Sequence, residues 1–212
     1  MRVIPTPVSA RRASARRALK LAEHALTMVS LLALGYSLAV FLQAKIYQAR
    51  EARDFATELR LKEGNKAVLA KSMAPMAAPE KHGVVGSLAI PRIGVSVMVV
   101  EGVDSGDLKR AVGHIPGTAL PWESGNVGIA GHRDTFFRPL RSIRRDDAIV
   151  VSTLQGTYRY RVESTTVVRP QDTQVLYPTG RDSLTLVTCF PFEYVGSAPK
   201  RFIVRAERAP GI

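Results

Sequence analysis

Residues 182–208 read "DSLTLVTCFPFEYVGSAPKRFIVRAER". Two apolar runs of β-forming residues, "DSLTLVTCF" and "RFIVRAER", flank a loop that contains Pro191, Gly196 and Pro199. The first run ends close to Cys189, the only cysteine in the chain, and the second begins at Arg201, twelve positions later. That separation suits two neighbouring antiparallel strands joined by a loop, with Cys189 and Arg201 side by side at one end of a sheet.

The surrounding sequence has the same texture from Val84 onward. "GSLAI" (86–90) and "VSVMVVEG" (95–102) are strand-like runs broken by Pro91 and Gly94, and "GNVGIAGH" (125–132) is another. "AIVVSTL" (148–154) and "TYRYRVESTTVV" (157–168) flank Gln155-Gly156, the signal of a hairpin. In the second of these, Tyr158, Tyr160 and Val162 alternate with Arg159, Arg161 and Glu163, the period of two of a half-buried strand. Short helical pieces are expected in "SGDLKRAV" (105–112) and "RPLRSIRRD" (138–146). Such a series of short strands predicts an all-β domain, either a closed barrel or a sandwich.

The chain has 212 residues, room for one ordinary domain and an additional segment. Its net charge of +12 is uneven: residues 1–82 carry +8 and residues 83–212 only +4. A nucleic-acid-binding domain needs a basic stripe on its folded part, so the distribution argues against that class. The basic excess sits instead beside "ALTMVSLLALGYSLAVFL", Ala25–Leu42, which has no charged residue. As a helix this stretch is about 27 Å long, close to the hydrocarbon thickness of a bilayer. It exceeds the core of a cleaved signal peptide, and the following "QAKIYQAR" offers no clean cleavage site. The expectation is an uncleaved signal-anchor. The near flanks carry five Lys/Arg on each side, but those on the amino side are clustered within Arg11–Lys20, which favours an inside amino terminus.

The domain expectation is therefore a basic cytoplasmic tail over 1–24, disordered through about residue 20, and a transmembrane signal-anchor over 25–42. A helical stalk and Pro-containing linker follow over 43–83, with the helix stopping near Gly64. The β-rich domain is expected over 84–212.

A single cysteine in an extracytoplasmic domain has no internal partner for a disulfide. It is either a small buried hydrophobe or a reactive thiol. A strand end running into a loop is where reactive groups are presented. A nucleophilic thiol acts as thiolate and needs a basic or cationic neighbour. Of the four histidines, His24 borders the apolar segment and His82 lies in the linker, where rigid placement is not expected. His114 in "AVGHIPGTALP" and His132 in "GIAGHRDTFF" remain. His132 ends a short apolar strand and shares its face with Ala130 and Gly128, small residues expected to leave room for a substrate. It is the preferred partner of Cys189. Acyl transfer also needs a group that stabilises an oxyanion, for which Arg201 is the candidate.

These residues resemble those of the sortase family. "TLVTC" (185–189) is similar to the family's T-L-x-T-C motif, "GNVGIAGHRD" to its histidine segment and "APKRFIVRA" to its arginine strand. "GSLAIPRIGVSVMVVEG" looks like the opening strands of the domain, so the resemblance spans about Val84–Glu207. The loop "CFPFEYVGSAPKRF" most resembles class D sortases. Phe190 stands where those relatives have Tyr, and Trp122 where they have a small residue, departures that bear on substrate preference rather than chemistry.

The resemblance implies an eight-stranded sortase-type β-barrel behind a single amino-terminal transmembrane helix. It implies a transpeptidase in which Cys189 attacks the backbone carbonyl of an LPxTG-like sorting motif, His132 is general acid and then base, and Arg201 holds the substrate and the oxyanion. The reactive pair would be a thiolate and an imidazolium, held by a minority of molecules at neutral pH. Asp134 is not assigned as a third member. The implied partners are proteins with a C-terminal sorting signal, an amine acceptor in the cell envelope, and the membrane through one helix. Neither cofactor nor metal is expected. The implied location is the cell membrane, single-pass, with the amino terminus cytoplasmic and the catalytic domain outside. An L,D-transpeptidase would need a Ser-His-Gly-Cys-type segment, whereas Leu186, Val187 and Thr188 precede Cys189. A non-enzymatic tethered β-domain would tolerate loss of the thiol.

Overall fold

The structure is a computed structural model that describes residues 7–64 and 79–209, with side chains over 19–61 and 79–209. Residues 1–6 of the expected tail and 65–78 of the expected linker lie outside the described residues. The chain divides into two units, 1–43 and 44–212.

One helix, α1 (Pro7–Gly64), contributes to both units. It begins at Pro7, so most of the stretch expected to be a disordered tail is helical. The cause is local: proline suits the first helical position, and "ARRASARRALKLAEHAL" is rich in Ala, Arg, Leu and Lys, all strong helix formers. Within the first unit, Leu26, Met28, Leu31, Leu32 and Leu34 are each more than half exposed. The hydroxyls of Thr27, Ser30 and Ser37 turn back onto the carbonyls of Glu23, Leu26 and Ala33 at 2.8–2.9 Å. Polar groups satisfied within the helix, under an apolar surface, are what a hydrocarbon environment requires. Among the described residues one helix is long and apolar enough to cross a membrane, within Leu19–Leu61.

The second unit is a closed barrel of eight strands: β1 (Val84–Ile90), β2 (Val95–Glu101), β3 (Val112–His114), β4 (Asn126–Ala130), β5 (Ala148–Ser152), β6 (Thr157–Val168), β7 (Ser183–Phe190) and β8 (Lys200–Arg208). Around the barrel the order is β1-β2-β3-β4-β7-β8-β6-β5, which leaves no free edge. The pairs β2–β3 and β4–β7 are parallel and the others antiparallel.

The barrel resolves the alternative with a sandwich because β1 pairs with β5, closing the sheet on itself. The hairpin expected at Gln155-Gly156 joins β5 and β6, with Ile149 opposite Tyr160. Tyr160 and Val162 are buried while Arg159, Arg161 and Glu163 are exposed, in line with the alternation of residue types. Leu88, Val99, Ile129, Ile149, Leu186 and Val204 are fully buried in the interior. Each such side chain contributes about 1.5–3 kcal/mol through removal of apolar surface from water.

Two expectations need correction. The run "SGDLKRAV" is helical only over α2 (Ser105–Arg110); Val112 instead opens β3, a three-residue strand parallel to β2. Val112 is fully buried, and its pairing to Val99 outweighs the local helical pattern. His82, expected to be loosely held, has Nδ1 2.9 Å from the carboxylate of buried Asp107, and its N–H donates to Glu101 O at 2.9 Å.

The last turns of α1 that belong to this unit also contact the barrel. The Gln48 side-chain carbonyl accepts from Met98 N–H at 2.8 Å and its amide donates to Arg110 O. This satisfies a β2 N–H just before the residues that pair with β3. Arg110 lies over the Tyr47 ring at 5.0 Å.

Asp147 holds the turn that enters β5. Its buried carboxylate accepts from the Arg92 guanidinium, at 2.6 Å from Nη2, and from Arg144 N–H at 2.7 Å. The hydrogen bond from Arg92 holds this carboxyl below the usual carboxylate range, against the opposing effect of burial. Burial pushes Asp107 upward, but the bonds from Arg110 and His82 outweigh it and its value is also lowered. A lowered native value means that the stabilisation is present above the unfolded value, about 3.9, and is lost as the pH falls through the native one. Asp147→Asn should therefore cost about 1–3 kcal/mol at neutral pH. It should also flatten the acid-side loss of stability. Denaturant midpoints from pH 7 down to 3 check this; a variant with the wild-type pH profile would exclude the Arg92–Asp147 bond as a source of the acid sensitivity.

Candidate active site

The site is built at one end of three strands. β7 and β8 run antiparallel with Cys189 opposite Arg201. On the other side of β7, β4 runs parallel, with Ala130 opposite Val187. The parallel pair continues one step further, because Gly131 N–H donates to Val187 O at 3.0 Å. His132 follows directly, so the chain brings the histidine to the end of β7 where Cys189 lies. His132, Arg133, Asp134, Cys189, Gly196, Ser197, Ala198 and Arg201 line a single cavity of about 340 Å³. All three residues singled out from the sequence face this cavity.

The motif threonines have separate structural tasks. Thr185 is fully buried and donates to Asn126 Oδ1 at 2.8 Å. The same oxygen accepts from Ser183 at 3.1 Å, while the Asn126 amide donates to the Val175 and Tyr177 carbonyls. Every polar atom of this buried network is used, so it stiffens the β4–β7 pairing beneath the site. Thr188 donates to Gly131 O at 2.7 Å, tying the residue before Cys189 to the residue before His132.

Gly131 is dictated by packing. A Cβ there would lie 2.7 Å from the Phe137 ring and 2.9 Å from Val112. Gly128 is small for a different reason from the one its parity suggests. Its missing Cβ accommodates Thr118 at 3.0 Å, so the space is filled by the protein and not kept for a substrate.

His114 is placed elsewhere. It is buried, with Nδ1 2.7 Å from Glu101 and Nε2 3.1 Å from both Ala119 O and Thr118 Oγ1. Its ring is engaged on both nitrogens and does not line the Cys189 cavity. The imidazole of His132, by contrast, has no carboxylate partner among the described residues. Arg201 donates through Nη1 to the carbonyls of Ala198 at 3.2 Å and Lys200 at 3.0 Å, which uses one nitrogen of the fork.

The sequence reading missed Arg133. Its guanidinium donates to the carbonyls of Tyr194 at 2.5 Å and Gly196 at 3.1 Å, both in the loop between β7 and β8. Arg141 reaches the same loop through an exposed ion pair with Glu193 at 3.2 Å. Arg133 therefore joins the loop that carries His132 to the loop that precedes Arg201. Its neighbour in the sequence, His132, was the only available signal, because backbone carbonyl acceptors leave no mark on residue identity. Phe190, at the departure from the class D pattern, stacks on Phe202 at 6.2 Å and meets Phe192 edge-on at 6.0 Å. This aromatic group anchors the start of the same loop. Trp122 is partly buried against the core.

His82, Asp104 and Asp107 place ligand-type atoms within 4.8 Å of one another. The two carboxylates are already balanced by Lys81 at 3.0 Å, and by Arg110 and His82, so the group reads as an ion-pair cluster.

Comparison with known proteins agrees with this architecture. The sortase domain family matches residues 88–209. Sortase D of Bacillus subtilis is 37% identical over 131 residues, covering 61% of this chain and 66% of that protein. Sortase A of Listeria monocytogenes is 28% identical over 132 residues, covering 60% of this chain and 58% of that protein. The chain thus spans about 58–66% of the length of these curated relatives. Among solved structures, the Sortase D5 transpeptidase of Clostridium perfringens superposes with a TM-score of 0.62 at 27% identity, covering 78% of this chain and 98% of that one. A matched domain over more than half of the chain, an eight-stranded barrel of the same kind and relatives of the same name make the chain a member of the sortase family, most like class D.

Proposed function

We propose that this chain is a membrane-anchored cysteine transpeptidase in which Cys189, His132 and Arg201 carry the reaction. The observation that supports it most directly is their convergence on one cavity from three different strand ends. The Cys189 thiolate attacks the carbonyl of a sorting motif similar to Leu-Pro-x-Thr-Gly, after Thr. The tetrahedral oxyanion lies toward Arg201, whose guanidinium stays charged and keeps donors beyond the one committed to the loop carbonyls. His132 gives a proton to the departing amine as the C–N bond breaks, leaving a thioester on Cys189. An incoming amine then attacks the thioester, His132 takes its proton, and the thiolate departs. Water is the competing nucleophile.

The substrate is a protein with a C-terminal sorting signal, and the acceptor an amine of the cell envelope or of another protein. The apolar helix anchors the chain in the cell membrane with the amino end inside and the catalytic domain, from about residue 84, outside. The exposed leucines and back-bonded hydroxyls of α1 support the anchoring.

Cys189→Ala should abolish transfer of a labelled sorting peptide while leaving the circular dichroism spectrum unchanged. Wild-type transfer by this variant would eliminate covalent catalysis through the thiol.

Arg201→Lys keeps the charge and loses the fork of donors, so peptide turnover should fall at least about tenfold. Alkylation of Cys189 across pH should be unchanged. An unaffected turnover rate would move the oxyanion role to another group, such as a backbone N–H.

Arg133 is a positioning residue. Arg133→Ala should lower kcat/KM by about tenfold by releasing the β7–β8 loop. The same variant should become cleavable by protease within residues 191–199, and Arg133→Lys should recover part of both properties. A loop that stays resistant to protease in Arg133→Ala would remove the clamp as the explanation.

A further inference from the structure

A second hollow, whose lining begins at the residue after Asp134 of the Cys189 cavity, takes no part in the chemistry described above. It has a volume of about 490 Å³ and its polar lining is Arg92, Arg138, Arg141, Thr135 and Ser142. No carboxylate lines it. Arg92 is fixed in place, since its guanidinium is held by Asp147 beneath and donates to Ser142 O. Arg141 has only an exposed partner, Glu193, and a pair of that kind competes weakly with a bound anion. The Arg138 side chain is exposed and makes no hydrogen bond or ion pair among the described residues. A concave surface with three guanidiniums, those of Arg92 and Arg141 paired to Asp147 and Glu193 and that of Arg138 free, together with hydroxyls, is suited to a planar or tetrahedral anion.

Its position gives the hollow a purpose. His132, Arg133 and Asp134 line the Cys189 cavity, and the next residue, Thr135, lines the hollow. Phe137 N–H donates to His132 O at 3.0 Å, so this connection is a tight turn. The rest of the hollow comes from the 3₁₀ turn Arg138–Ser142 directly after it and from Arg92 and Ile93 of the turn between β1 and β2. One continuous loop thus supplies both the histidine and most of the hollow's lining, including Arg138 and Arg141. In the second half-reaction the acceptor amine must pass its proton to His132, and therefore approaches on the side of this loop. The volume lies in the range of small-ligand sites, about 300–1,000 Å³, enough for an anionic group and the short linker to its amine.

We propose that the hollow holds an anionic group, carboxylate or phosphate, borne by the acceptor close to its reacting amine. The proposal rests on the transpeptidase reading and specifies the acceptor. It needs no further reactant: the anion is bound, and the bonds made and broken are those of aminolysis.

The test follows the partition of the acyl-enzyme between water and added amine, with the full chain in detergent and a saturating sorting peptide. Glycylglycine is compared with glycylglycine amide, and phosphoethanolamine with ethanolamine. The first pair reports a carboxylate and the second a phosphate. The wild type should favour the anionic member of at least one pair by about 3–10-fold at low salt. The preference should narrow in about 0.5 M salt. Arg138→Glu should abolish it while peptide cleavage and the use of the neutral amines stay within about twofold of wild type. Saturation-transfer NMR of phosphoethanolamine and glycylglycine should show binding to wild type and none to Arg138→Glu, independently of turnover. Equal use of anionic and neutral amines by the wild type, or an unchanged preference in Arg138→Glu, would overturn the proposal. So would an equal loss for charged and neutral amines. Absence of any peptide cleavage by the wild type would instead refute the transpeptidase reading, while the NMR comparison would still decide whether the hollow binds anions.

Discussion

The parallel pairing of β4 with β7 is the constraint on which the site depends. It brings residue 132 level with residue 189 although the two are far apart in the chain, and it places the buried Asn126 against Ser183 and Thr185. A parallel pair cannot be made by a short turn, so its register has to be specified by side chains. Asn126 does this from the face of β4 opposite the core residues Val127 and Ile129. Its oxygen accepts from two β7 hydroxyls and its amide reaches the segment before β7. A shift of one residue would leave these polar atoms buried without partners and turn Leu184 and Leu186 out of the core, a cost of several kcal/mol. The antiparallel β7–β8 ladder then needs only to continue the same register to set Arg201 beside Cys189.

The geometry above the strand ends is held in a different way. There the chain is in loops, and the connections are from side chain to backbone. Thr188 bonds to Gly131 O, and Arg133 to the carbonyls of Tyr194 and Gly196. The cavity is thus enclosed by two loops tied to each other and not by rigid strands alone. That division suits the transpeptidation proposed above, which must admit a peptide and then a second nucleophile: the proposed reacting groups sit at strand ends, and loops form the walls. The aromatic trio of Phe190, Phe192 and Phe202 anchors the point where the loop part of the wall begins.

Charge is also divided by task. The buried carboxylates of Asp107 and Asp147, in the segments flanking the strands, are matched by half-exposed arginine and histidine side chains, because an unpaired buried charge would be costly. Much of the basic excess of the chain lies before residue 83, flanking the apolar segment of α1. What remains on the domain is concentrated in the loop after His132, where Arg138, Arg141, Arg144 and Arg145 occur within eight residues.

The sequence by itself determined most of the strands, the apolar helix and the three residues that meet in the cavity. Each leaves a local mark: alternation in Tyr158–Glu163, an uncharged run at Ala25–Leu42, a lone cysteine at the end of a strand and an arginine twelve positions later. That His132, and not His114, lines the cavity with Cys189 was legible from its place at the end of an apolar strand, although the small-residue part of that argument did not hold. What tertiary structure alone decided are the features whose partners are backbone groups or distant segments. Val112 became a strand because Val99 pairs with it, against its local helical pattern. Gly128 serves Thr118 and not a substrate, and His82 is held by Asp107 from a separate element. The Arg133 clamp and the basic hollow belong to the same class. Their carbonyl acceptors carry no residue identity, and a concavity exists only once the loop after His132 has folded back onto the barrel.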